Sequence, residues 1–165
     1  PRCAYPGRLV TAPASSVRTL VSFFAAHVFY LIGFNLSLPD LSWLSVVFLV
    51  AVIGAYGIVF PPILIALRRD PQTAPLRPPV ILYGVVISLM LFSALLNFQR
   101  SGWPPAAALA TGVGAGLFFL SDSLLATDRF CRPLPRSDLG VIVTYHAGQL
   151  AIIAGVLMRF AAPAA

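Results

Sequence analysis

Five apolar runs, each long enough to cross a hydrocarbon layer, follow one another with only short connections rich in proline and arginine. A core about 30 Å thick takes roughly 20 helical residues, and the runs fall near residues 19–38, 41–67, 79–98, 104–126 and 138–158. Lipid offers no hydrogen-bond partners, so each run must satisfy its backbone within itself. The predicted fold is therefore all-α, a polytopic membrane bundle of five transmembrane helices. Composition agrees: 59% of the residues are hydrophobic and 10% charged, with a mean hydropathy of +0.90. Those values exclude a soluble globular domain and leave no basic face for nucleic acid.

Three segments follow: a polar, irregular stretch over 1–18, the five-helix unit over 19–160, and a tail over 161–165. The first stretch has no initiator Met and no continuous apolar middle leading to a cleavage site, so it does not read as a signal peptide; it reads as a chain whose beginning is missing. Pro61 and Pro62 lie inside the second run and predict a break or kink there, because proline lacks the backbone donor and clashes with the preceding turn. Gly112 and Gly116 form a small-xxx-small pair and predict close helix packing. Asn35 and Asn97 sit near span ends and carry little information.

Orientation is read from the arginines. All eleven basic residues are Arg and all five acids are Asp. Five alternating spans put Arg2, Arg8, Arg18, Arg68, Arg69, Arg77, Arg129, Arg132 and Arg136 on one side and Arg100 and Arg159 on the other. Cytoplasmic loops carry the positive excess, so the amino terminus and the 129–136 loop are expected in the cytoplasm, with the carboxy terminus outside. In a bacterium this is the cytoplasmic membrane. Cys3 and Cys131 then face a reducing compartment, and their isolation gives no metal-ligand spacing.

Within the spans, Asp122 stands out. A carboxylate in a bilayer costs several kcal/mol unless it is paired or solvated in a cavity, and a purely structural role is filled more cheaply by Asn or Ser. Counting about 1.5 Å of rise per residue from the expected cytoplasmic ends places Asp122 roughly 6 Å deep, His27 roughly 12 Å, and Tyr145 and His146 roughly 10 to 12 Å. His27 and Tyr30 are three apart and Tyr145 and Gln149 four apart, so each pair shares a helix face. Either reading stays open for the polar groups: His27 as a packing histidine or a catalyst, and Tyr145, His146 and Gln149 as interhelical hydrogen bonders or site residues. Asp128 and Arg129 lie at the interface and need only water.

Three stretches, taken together, resemble the YhhN membrane family, whose animal members include lysoplasmalogenases. They are Gly114-Ala-Gly-Leu-Phe-Phe-Leu-Ser-Asp-Ser-Leu-Leu-Ala-Thr-Asp-Arg-Phe-Cys-Arg-Pro-Leu-Pro135, then Thr144-Tyr-His-Ala-Gly-Gln149, and Phe23-Phe-Ala-Ala-His-Val-Phe-Tyr30. His146 stands where the family usually has a second Tyr. The resemblance covers roughly residues 20–160 and implies the last five spans of an eight-span fold. The family's Gly-Asp pair at the end of an earlier span has no counterpart here.

The resemblance further implies a membrane lysophospholipid substrate, no cofactor, and hydrolysis of the vinyl ether bond of a lysoplasmalogen to a fatty aldehyde and a glycerophospho-alcohol. Such chemistry asks for a proton donor to carbon, a negative group beside an oxocarbenium-like ion, and an activated water. Asp122 and His27 are the expected catalytic pair, with Tyr30, Tyr145, His146 and Gln149 about the substrate. No metal is expected, although a rival mechanism would use His27, His146 and Asp122 as a zinc set. An alternative from another class is a non-enzymatic membrane protein, a transporter fragment or structural subunit in which Asp122 only bridges helices.

Overall fold

The connections supply the helix stops that the apolar runs lack. The computed structural model describes residues 14–161 apart from 70 and 72, with side chains from residue 21 onward. It contains α1 (Ala14–Phe34), α2 (Trp43–Arg69), α3 (Arg77–Leu95), α4 (Pro105–Phe130) and α5 (Ser137–Ala161), with 3-10 turns at Ala74–Leu76 and Leu96–Gln99. Prolines open α3 and α4, where the missing donor costs nothing and the ring presets the helical φ. The end of α4 is closed by the N–H groups of Cys131 and Arg132 donating to the Thr127 carbonyl. Asp128 accepts the Leu134 N–H at 2.7 Å, so this carboxylate fixes the turn into α5 as well as meeting water.

Four helices are long and apolar enough to cross a membrane, and the described part of α1, Val21–Phe34, is a shorter apolar helix. The molecule is a polytopic helical bundle and an integral membrane protein, and among the described residues it has no strand. Its outward faces are apolar: Phe29 is 72% exposed, Ile58 78% and Leu150 68%, a pattern that water would not tolerate and lipid does. Of the break or kink expected at Pro61 and Pro62, the break does not occur: α2 runs on through both prolines, as proline-containing membrane helices can when their surroundings re-satisfy the freed carbonyls.

α3 and α4 occupy the centre, with α1 and α2 against α3 and α5 against α4. The α4–α5 contact is the tightest, and its cause is a row of glycines. A Cβ on Gly114 would lie 2.7 Å from the Gly148 carbonyl oxygen, and one on Gly155 would lie 2.6 Å from Thr111 Cγ2. The close-packing glycine of α4 is therefore Gly114; Gly112 meets only the Leu95 and Phe98 side chains, and Gly116 has open space.

The far end of the bundle is held by Arg100, which is buried. Its guanidinium donates to the Ser37 carbonyl, the Ser93 carbonyl, Asn97 Oδ1 and Asn35 Oδ1 at 3.0, 2.7, 2.5 and 2.7 Å. Asn97 in turn donates to Thr111 on α4 at 3.3 Å. No carboxylate pairs with Arg100 among the described residues, and burial draws its pKa below the ordinary arginine value. The Ser93 carbonyl, in the last turn of α3 at its negative pole, and the Ser37 carbonyl in the loop after α1 stand in for an anion. Asn35 and Asn97 are thus the acceptors that make a buried cation tolerable, which their position near span ends did not reveal.

Candidate active site

One carboxyl, one imidazole and one phenol meet where α4, α1 and α3 face each other. Asp122 lies eight residues before the end of α4, about 12 Å along the helix. Tyr83 on α3 donates its hydroxyl to Asp122 Oδ2 at 2.5 Å. His27 Nε2 on α1 lies 3.7 Å from the same oxygen, within ion-pair range but slightly long for a hydrogen bond. The His27 side chain is 1% exposed and that of Asp122 14%.

The histidine's proton can be assigned from its other nitrogen. Nδ1 sits 2.6 Å from the Phe23 carbonyl, which can only accept, so Nδ1 carries hydrogen. Nε2 then presents a lone pair when the ring is neutral and an N–H when it is charged. Among the described residues no other group bonds Nε2. Facing Asp122, the two groups form a matched pair only when one proton lies between them, as neutral imidazole with carboxylic acid or imidazolium with carboxylate. Such a pair can give up that proton and take it back.

Phe118, one turn before Asp122 on α4, is the aromatic floor. Its ring centroid lies 5.4 Å from that of His27, 6.2 Å from Tyr30 and 5.2 Å from Tyr145. Tyr30 accepts a hydrogen bond from Gln149 Nε2 at 2.8 Å, and Tyr145 packs edge-on against Phe23 at 5.6 Å. Of the six residues singled out from sequence, Asp122, His27, Tyr30, Tyr145 and Gln149 are gathered around Phe118. His146 is not: it is exposed and its Nδ1 bonds the Ile142 carbonyl of its own helix. The His27, His146 and Asp122 set is consequently not assembled, and no group of three or more His, Cys, Asp or Glu side chains comes together among the described residues.

Tyr83 is the residue that sequence reasoning missed. The depth count that gathered the others applies to it as well, since it stands six residues into α3, about 9 Å from the helix start. Only the pairing of α3 with α4 shows where its hydroxyl points.

The carboxyl, imidazole and phenol thus lie together inside the spans of a polytopic membrane helical bundle. The chain belongs to the YhhN family, which matches residues 8–156. It is similar to the human protein named lysoplasmalogenase TMEM86B, at 33% identity over 147 residues, covering 88% of this chain and 55% of that protein. The pig protein of the same name is 30% identical, covering 85% and 53%. Bovine lysoplasmalogenase TMEM86A is 38% identical over 74 residues, covering 42% and 30%. The chain spans about half the length of the TMEM86B relatives. No solved structure matches it.

Proposed function

We propose that this protein hydrolyses the vinyl ether bond of lysoplasmalogens, single-chain alkenyl glycerophosphocholines or glycerophosphoethanolamines, by acid–base catalysis inside the membrane. The observation that carries the reading is the single Asp122 oxygen shared by His27 and Tyr83 inside the bundle. The relatives' name, lysoplasmalogenase, points the same way.

In the proposed sequence the His27–Asp122 pair delivers its proton to the β-carbon of the enol ether. The double bond's electrons form the new C–H bond, and the α-carbon becomes an oxocarbenium ion beside the Asp122 carboxylate. Water adds to that carbon and loses a proton to the pair, which restores it. The hemiacetal then gives its hydroxyl proton to the pair and takes one from the pair on the glycerol oxygen as that C–O bond breaks, giving a fatty aldehyde and a glycerophospho-alcohol. Tyr83 keeps the carboxylate oriented and spreads its charge, an electrostatic contribution made before the cation forms. The apolar surroundings strengthen each of these interactions.

Depth suits this substrate. A head group at the arginine-rich ends of α2, α3 and α4 leaves the ether bond about one to two turns below, in the layer of Asp122. Purified protein reconstituted with an alkenyl lysophosphocholine should release aldehyde and glycerophosphocholine in equal amounts. No aldehyde from well-folded protein would sink the reading.

A further inference from the structure

The site needs an entrance, because His27 is sealed and Asp122 nearly so, while a lipid tail cannot arrive through the water at the bundle's ends. The helices differ in how they are joined. α1 makes its close backbone packing against α3, and α5 against α4. Among the described residues, the α1–α5 gap is bridged by the Gln149 amide on the Tyr30 hydroxyl at 2.8 Å and the edge contact of Phe23 with Tyr145 at 5.6 Å. All four residues are half-buried. Directly behind them lies Phe118, and one turn along α4 from Phe118 lies Asp122.

We infer that the α1–α5 seam is the lateral route by which a single lipid chain passes from the bilayer to Asp122, and that the Gln149–Tyr30 hydrogen bond is its latch. The inference rests on the lipid-substrate reading above. Opening needs only rotation of side chains, since α1 stays anchored along α3 and at its far end by Asn35 and the Ser37 carbonyl on Arg100. Interhelical hydrogen bonds in bilayers are individually weak, so a lone one is suited to a latch that opens thermally. Because they hold the seam closed, Tyr30 and Gln149 gain a part in admitting the substrate.

The test joins the two sides of the seam. Tyr30→Cys and Gln149→Cys are combined with Cys3→Ser, and the pair is linked by a thiol-cleavable reagent as long as the side chains it replaces. The protein is placed in phosphatidylcholine nanodiscs with a single-chain alkyl glycerophosphocholine carrying a diazirine in its tail. Before linking, illumination should label the peptide containing Phe118; linking should reduce that label to the unilluminated level, and reductant should restore it. Aldehyde release from an alkenyl lysophosphocholine should follow the same three states. Label at Phe118 that survives linking, or that is absent throughout, overturns the seam. Label that obeys the lock, together with no aldehyde from the parent protein carrying Tyr30 and Gln149, supports the seam and overturns the catalytic reading. As a second variant, Gln149→Leu removes the hydrogen bond but keeps the ring contact and should raise labelling at Phe118; unchanged labelling would overturn the latch.

Discussion

A single oxygen, Oδ2 of Asp122, receives the Tyr83 hydroxyl and faces His27 Nε2, so substitutions there separate charge from shape. Asp122→Asn keeps the volume and an acceptor for Tyr83 but cannot hold or release the shared proton. It is expected to lower kcat/KM by about 10²- to 10⁴-fold, the usual worth of general acid–base catalysis, while folded yield and thermal midpoint in detergent stay near those of the parent. A collapse of yield together with activity would instead mark Asp122 as a helix bridge. Tyr83→Phe removes one hydrogen bond to a charged group, worth about 1.5–3 kcal/mol, so aldehyde release should fall about 10- to 100-fold with little change in KM. His27 and Asp122 were visible in the sequence because a charge and an imidazole in apolar runs are conspicuous. Tyr83 was not, because a tyrosine in a span is commonplace and only the tertiary pairing of α3 with α4 gives it a partner.

At the scale of helices, the sequence was legible wherever one segment's own chemistry decides the outcome. Apolar length and the proline- and arginine-rich connections located α2 to α5 to within a few residues, whereas α1 begins at Ala14, inside the stretch expected to be irregular. It was less legible where a neighbour decides. Gly112 and Gly116 show the same spacing as a packing motif, yet α5 approaches on the face of Gly114, and spacing alone cannot say which face a partner will choose. The contrast yields a stability prediction. Gly155→Ala would put a Cβ 2.7 Å from the Ala107 carbonyl oxygen and 2.6 Å from Thr111 Cγ2, and backbone cannot step aside as a side-chain tip can. It should cost about 1–3 kcal/mol, as overpacking does, read as a lower thermal midpoint in detergent. Gly116→Ala meets nothing within 4 Å and should be neutral or stabilising by up to about 1 kcal/mol from helix propensity. Equal effects at the two positions would mean that the α4–α5 contact is not the close one.

Across the whole molecule, polar chemistry is divided between two ends. The arginine-poor end is closed by the Arg100 cluster, which ties α1, α3 and, through Asn97, α4, the same three helices that carry His27, Tyr83 and Asp122. Arg100→Met would strand several buried acceptors at about 1–3 kcal/mol each, so the thermal midpoint should fall steeply, and with it the geometry at the other end. That network was illegible from sequence because Arg100 reads as a loop cation until Asn35 and Ser37 fold beside it. The opposite end gathers Arg68, Arg69, Arg77, Arg129, Arg132 and Arg136 and lies nearer to Asp122. Because the positive excess marks the cytoplasmic side, substrate should be taken from the inner leaflet. Single cysteines in place of the exposed Arg132 and Ser101 report this in sealed cells treated with an impermeant maleimide. Ser101→Cys should react from outside, and Arg132→Cys only after the membrane is opened. The reverse pattern would move the head group to the outer leaflet while leaving the chemistry at Asp122 as argued, since the shared proton depends on His27 and Tyr83 and not on which face of the membrane supplies the lipid.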